Sequence, residues 1–377
     1  MMVGVFSTLA IASAVAFIPI KADTDGQPHY RVNVHSRPGR LEMIPARYLS
    51  KDLAKTTQWI NLPDSGVLES LMYFGSPQQA IMMLIDSAED NTMIPGEFVE
   101  QYQSATLQIT SDGVWQDMIK VGDLTVEQSF YFSGAEAKLG LSVAAGNDES
   151  FVNNVIARRM LGMSIVSFYL TRQTKDRLSG EMMVGQLSKH PKNALIRYNP
   201  TTMGEEALGG SWRLKINGIR VDGETVPGSG IAVIDTTTPF AILPVKVFTG
   251  IIEQLQVPIK ESQGIMFSRP QACLMLAELP PIYIAIATDE FVWDASRYII
   301  PADEHGQCIL AMVGFDLPQS QGEPLWVLGT NFLLDRVVVF DQAMMHVGLT
   351  DYEPDSDLDK AMHEQNHVLE DEHIRDL

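Results

Sequence analysis

Two aspartates stand at matching places in a short segment that the chain carries twice. LIDSAEDNTMIP (residues 84–95) aligns without a gap on VIDTTTPFAILP (residues 233–244). Each copy opens Ile-Asp-Ser/Thr, and a Pro preceded by two apolar residues stands nine positions after the Asp. Each is followed later by an apolar strand ending in Leu-Gly, at Leu139-Gly140 and at Leu328-Gly329. Either Asp86 or Asp235 alone would read as a turn residue, since Asp is a common turn former. The duplication favours a paired role instead. Two carboxylates a few Å apart cannot both ionise easily, so one stays protonated beside a charged partner. Such a pair supplies a general acid and a general base sharing one water, with no metal and no covalent intermediate.

The elements that must position the pair are strands. Between Gly and Pro punctuation the apolar runs are short and β-rich: IMMLI, SIVSFYL, SWRLKI, GIAVI, PIYIAIA and RVVVF. Helices are expected near 151–161 and 245–255 and hardly elsewhere. Two copies of strand, acidic turn and returning strand imply an all-β, bilobal molecule in which each lobe presents one carboxylate at a loop tip.

Composition narrows the function. The 377 residues carry 27 basic and 47 acidic side chains, a formal net charge of −20, and two cysteines. That acidity argues against nucleic acid or an anionic membrane surface as partner. Two cysteines exclude a zinc ribbon or iron–sulfur centre. The first 20 residues are apolar, with the small-residue pattern Ala14-Val15-Ala16, and read as a signal peptide over 1–16; uncleaved, the run would be a membrane anchor. Residues 17–58 form a locally basic leader with Arg31, Arg37, Arg40 and Arg47. The tail 351–377 holds ten acids against Lys360 and Arg375. It also contains His363-Glu364-Gln365-Asn366-His367, a formal HExxH. Glu370 stands where a turning Gly is needed and no room remains for a Met-turn, so no metal site is assigned.

At these residues the chain resembles the pepsin-like aspartic peptidase family. Tyr73-Phe74-Gly75-Ser76-Pro77-Gln78-Gln79 is similar to its first-lobe hairpin, 210–221 (GSWRLKINGIRV) to the strands opening its second lobe, and Trp326–Gly329 with 331–349 to its C-terminal signature. The likeness runs from about Trp59 to Thr350 and is tighter in the second lobe. It implies a cleft for an extended peptide between an N-terminal lobe at 59–200 and a C-terminal lobe at 201–350. It also implies an Asp86/Asp235 dyad, cross-bonding by Ser87 and Thr236, a hydroxyl donor to the carboxylate in Thr238, and a Cys273–Cys308 disulfide. In that family a basic pro-segment neutralises the dyad, a role that the resemblance offers here to Arg31, Arg37 or Arg40.

The motifs depart from the family in ways that bear on activity. The Gly of its D-T/S-G motif is Ala88 in one loop and Thr237 in the other, and a β-branched Thr is stiff and bulky where the opposite loop approaches. Glu89 replaces a hydroxyl donor and adds an acid beside the pair. The stretch 105–117 lacks the Tyr and Gly-rich tip of a flap, leaving Trp115 a packing role; a missing lid weakens orientation and water exclusion. The expectation is a weak or narrow aspartic-type endopeptidase of the secretory pathway, secreted or in an acidic endolysosomal compartment. It would be monomeric and cofactor-free, acting on extended peptide or unfolded protein. The alternative is a catalytically inactive homologue that binds peptide or protein in the cleft.

Overall fold

The computed structural model describes residues 30–350 except 38, 50–58, 63–65, 112, 133–135, 143–149, 175–176, 188–195, 203–211, 304 and 319–321. The signal-peptide segment, the HExxH sequence and the acidic tail lie outside the described residues, as does the side chain of Arg40.

Two large sheets hold most of the strands. The ten-stranded sheet belongs to the second lobe and centres on Gly230–Ile234, with Leu325–Leu328 parallel to it on one side and Arg213–Val221 antiparallel on the other. Gly230–Ile234 and Leu325–Leu328 are apolar throughout and buried on both faces, which is why their sequences read as continuous apolar runs rather than alternations. The thirteen-stranded sheet contains the first-lobe strands and also Val337–Asp341 and His346–Leu349, so the end of the second half is woven into the sheet of the first. Trp212 ties the halves further, stacking on Phe340 with centroids 4.9 Å apart and donating from Nε1 to the Leu141 carbonyl at 3.2 Å.

The leader contributes a strand of its own. Tyr30–Ser36 alternates buried and exposed positions and lies between Arg177–Val184 and Leu68–Phe74. It runs antiparallel to the first from Tyr30↔Val184 to His35↔Ser179, and meets the second only at His35↔Glu69 and Ser36↔Leu68. Side chains of the strand and of Arg37 just after it lie against acids of the body: Arg31 against Glu181 at 3.3 Å, His35 against Glu69 at 3.5 Å, and Arg37 against Glu136.

Helices fall where the sequence places them, at Phe151–Ala157 and Val245–Leu255. The first is capped by Ser150, whose hydroxyl accepts from the Asn153 N–H. The second buries Val247, Phe248, Ile251, Ile252 and Leu255, one face of a 3.6-residue period. Cys273 and Cys308 form the disulfide that the resemblance implied, closing a 35-residue separation beside a small three-stranded sheet. The flap is shortened, with a brief hairpin in its place: Gln108–Ile109 pairs with the start of Trp115–Val121. Trp115 packs edge-on against Phe132. Asp117, buried on the returning strand, accepts from the Tyr102 and Thr106 hydroxyls at 2.7 and 2.5 Å and fixes the base of this hairpin.

Candidate active site

The two repeats fold alike. In the first lobe Gln79–Asp86 runs into the acidic loop, and Lys138–Gly140 returns parallel to it, with Lys138 opposite Leu84 and Gly140 opposite Asp86. In the second, Gly230–Ile234 runs into the loop and Leu325–Leu328 returns parallel, with Val327 opposite Val233. The returning glycines are required by packing. A methyl at Gly140 would stand 2.6 Å from the carbonyl oxygens of Glu89 and Asn91, and one at Gly329 would stand 2.3 Å from that of Thr238. The Leu-Gly signature thus marks the point where each returning strand passes under its acidic loop.

The loops are joined to one another. The Ser87 N–H donates to Thr236 Oγ1 at 3.0 Å and the Thr236 N–H to Ser87 Oγ at 3.1 Å. Each hydroxyl then donates across to the strand leading into the other loop, Ser87 to the Ile234 carbonyl and Thr236 to that of Ile85. All four residues Asp86, Ser87, Asp235 and Thr236 are fully buried. The twofold relation inferred from the repeat is therefore a set of reciprocal hydrogen bonds.

Each carboxylate accepts from the backbone two residues on. The Ala88 N–H donates to Asp86 Oδ1 at 3.0 Å and the Thr237 N–H to Asp235 Oδ1 at 2.8 Å. Thr237, bulkier than the Gly of the family motif, bonds the carboxylate a second time. Its hydroxyl turns inward and donates to the same Asp235 oxygen at 2.6 Å. The hydroxyl donor expected of Thr238 is thus supplied by Thr237, whereas the Thr238 hydroxyl accepts from the Phe240 N–H at 3.3 Å. Glu89 folds back on its own turn, accepting from the Asp90 and Asn91 N–H groups at 3.2 and 3.3 Å. Burial and the nearby Asp86 charge raise its pKa.

The leader occupies the site. A 3-10 turn at Ala46–Tyr48 presents Arg47 to Asp86 in a two-pronged pair, Nη1 to Oδ1 at 2.8 Å and Nη2 to Oδ2 at 2.5 Å. Nη2 also reaches Thr237 Oγ1 at 3.2 Å, so one guanidinium bridges both loops. Tyr48, buried beside it, donates its hydroxyl to Asp235 Oδ2 at 2.8 Å. The arginine on the dyad is therefore Arg47. Arg31 and Arg37 are engaged with Glu181 and with Glu136 and Glu69. The resemblance offered this role to Arg31, Arg37 or Arg40 and passed over Arg47; a bulky aromatic directly after Arg47 is the signal that distinguishes it.

Electrostatics follow the geometry. Burial works to raise the Asp86 pKa, but Arg47, by charge and hydrogen bond, and Lys138, whose Nζ lies 3.2 Å from Oδ2, together bring it below its ordinary value. Burial works against the Arg47 charge, and Asp235 and Asp86 outweigh it, so the guanidinium is held charged. Burial and the Asp235 charge hold Tyr48 protonated as a neutral donor. Lys138 was not among the residues picked out from sequence, because within AKLGL it reads as one position of an apolar strand.

The comparisons agree with this architecture. The family model for eukaryotic aspartyl protease matches residues 104–352, a span that includes the Asp235 loop and begins after the Asp86 loop. Cathepsin D of Dictyostelium discoideum is 24% identical over 323 residues, covering 73% of this chain and 80% of its own length. Pepsin A of Sus scrofa is 24% identical over 316 residues, 73% of this chain and 78% of that one. Among solved structures, the aspartic proteinase from Irpex lacteus superposes with a TM-score of 0.63 at 17% identity, over 86% of this chain and 98% of the other, a likeness of fold. With two cross-bonded acidic loops in a bilobal β architecture and a family match over most of its length, the chain belongs to the eukaryotic aspartyl protease family.

Proposed function

We propose that this chain is an aspartic-type endopeptidase of narrow activity, in which Asp86 and Asp235 activate a water against a peptide bond, and that the form described is one blocked by its own leader. The observation that carries the reading is the joint engagement of both carboxylates by consecutive leader residues, Arg47 on Asp86 and Tyr48 on Asp235. A site kept as two buried, cross-linked carboxylates and covered by a matched cation and phenol is organised for use after uncovering. One carboxylate takes a proton from water as its oxygen adds to the carbonyl carbon, and the other, protonated, donates to the carbonyl oxygen. The first then passes its proton to the leaving nitrogen as the C–N bond breaks, and a hydroxyl of the tetrahedral carbon returns a proton to the second as the acid product forms, which restores the dyad. Ser87 and Thr236 hold the loops in register, and Thr237 supplies the hydroxyl donated to Asp235. The substrate class is an extended peptide or unfolded protein cut between apolar residues. The disulfide and the apolar N-terminus support a secretory route into an oxidising and then acidic compartment.

A second reading has one specific observation behind it. The leader strand Tyr30–Ser36 is hydrogen-bonded on both flanks within the thirteen-stranded sheet, which favours a permanently covered, peptide-binding homologue. Incubation of the full chain with a denatured protein from pH 3 to 6, beside Asp235→Asn and an aspartic-peptidase inhibitor, separates the two. Digestion abolished by both variant and inhibitor supports the peptidase. Equal digestion by wild type and Asp235→Asn, or none at any pH even with Arg47→Ala, rejects it for the binding reading.

A further inference from the structure

The internal repeat makes the two halves of the site directly comparable, and at one position they differ in kind. Lys138 lies between Leu84, parallel to it, and Met93, antiparallel. Its counterpart in the second lobe, Val327, lies in the same way between Val233 and Ile242. Val327 is fully buried and apolar. Lys138 instead extends its ammonium to 3.2 Å from Asp86 Oδ2 and leaves its side chain 23% exposed. The returning strand therefore carries a cation to one carboxylate of the pair and none to the other.

The geometry points to Lys138 as a resident counter-ion of Asp86, a positioning residue that remains when the leader's Arg47 withdraws and fixes Asp86 as the carboxylate of the pair, leaving Asp235 to carry the shared proton. Among the described residues, the charged and titratable groups close to Asp86 are Arg47 and Tyr48 from the leader turn, Lys138 from the returning strand, Glu89 in its own loop, and Asp235 across the site. Of these Arg47 and Lys138 are cationic, and Lys138 belongs to the body rather than the leader. Asp235 is served by neutral donors, the Tyr48 and Thr237 hydroxyls and the Thr237 N–H. The assignment of roles then follows: Asp86 takes the proton from water, and Asp235 gives its own to the peptide carbonyl oxygen. That consequence rests on the peptidase reading; the ion pair does not.

The test is a carbon-13 NMR titration of the aspartate carboxylates in the full chain, with the Asp86 resonance assigned by its loss in Asp86→Asn. Wild type, Arg47→Ala, Arg47→Ala/Lys138→Met and Arg47→Ala/Lys138→Arg are compared. With Arg47 gone, Lys138 is expected to keep the Asp86 midpoint about one pH unit or more below that of the double variant with Met, a tenfold difference in proton affinity. The Arg replacement restores the low midpoint, which excludes a fold-wide effect of the substitution. Equal midpoints in Arg47→Ala and Arg47→Ala/Lys138→Met overturn the proposal whether or not the chain cleaves peptide. Where cleavage is found, Lys138→Met moves the acid limb of the rate profile upward while Lys138→Arg does not.

Discussion

Ser87 and Thr236 exchange hydrogen bonds across the molecule, each backbone N–H donating to the other's hydroxyl over a sequence separation of 149 residues. Because each hydroxyl also donates to a strand carbonyl of the opposite lobe, it serves one donor and one acceptor at once. Replacing Thr236 with Val keeps the shape and leaves the Ser87 N–H and the Ile85 carbonyl buried without partners. The expected loss is on the order of 3 kcal/mol, at roughly 1–3 kcal/mol per buried group left unmade, read as a lower urea midpoint with unchanged slope.

Acid should loosen the cover over the site, and Arg47 sets where. Asp86 has a folded pKa below its unfolded value, so its contribution is fully present above the unfolded value, about 3.9, and is lost as pH falls through the folded one. The transition therefore lies at strongly acid pH. Arg47→Ala removes part of the depression and is expected to shift the onset of leader release, followed by limited proteolysis after Arg47's turn, to higher pH. An onset that stays put would show that Arg47 does not control the cover.

Glu89 has the opposite sign. Its folded pKa is raised by burial and by Asp86, so it favours the folded state below that value and opposes it as pH rises through it. Glu89→Gln keeps an oxygen for the Asp90 and Asn91 N–H groups and removes the charge. The variant is expected to be more stable than wild type at pH 7 and to lose that advantage by pH 4, as measured by thermal unfolding in parallel buffers.

The glycines under the loops should be intolerant of a single methyl. At Gly329 the new carbon would meet the Thr238 and Phe240 carbonyl oxygens at 2.3 and 2.5 Å, both backbone atoms that cannot step aside. Gly329→Ala is expected to cost about 1–3 kcal/mol or more and to displace the Asp235 loop, whereas Gly218→Ala, where nothing lies within 4 Å, should change stability by less than about 0.5 kcal/mol.

The disulfide fixes the second lobe alone. A 35-residue separation gives a loop-closure contribution of about 4 kcal/mol, within the usual 2–4 or so. Cys273→Ala/Cys308→Ala should lower the urea midpoint accordingly while leaving the Asp86 titration unchanged.

What was legible in the sequence was what the fold repeats. Asp86 and Asp235 with their Ser/Thr neighbours are recoverable because the twofold relation is written twice in residue types, and Leu-Gly because only glycine passes beneath the loops. What stayed hidden depends on tertiary placement. Arg47 is one of several leader arginines until a 3-10 turn aims it. Lys138 is a gap in an apolar strand until the returning strand is laid beside Asp86. The use of the Thr237 hydroxyl turned on a rotamer, which residue type alone does not select. The short hairpin at 108–115 was too brief to show a strand period.

The strand Tyr30–Ser36 has a practical consequence for anyone who would make the body without its leader. A chain begun at residue 59 would leave the Arg177–Val184 strand with an open row of amide and carbonyl groups along six residue positions. Open rows of that kind recruit strands from other molecules. Such a truncation would be expected to precipitate, and maturation, if it removes this strand, must hand its place to another segment rather than leave it bare.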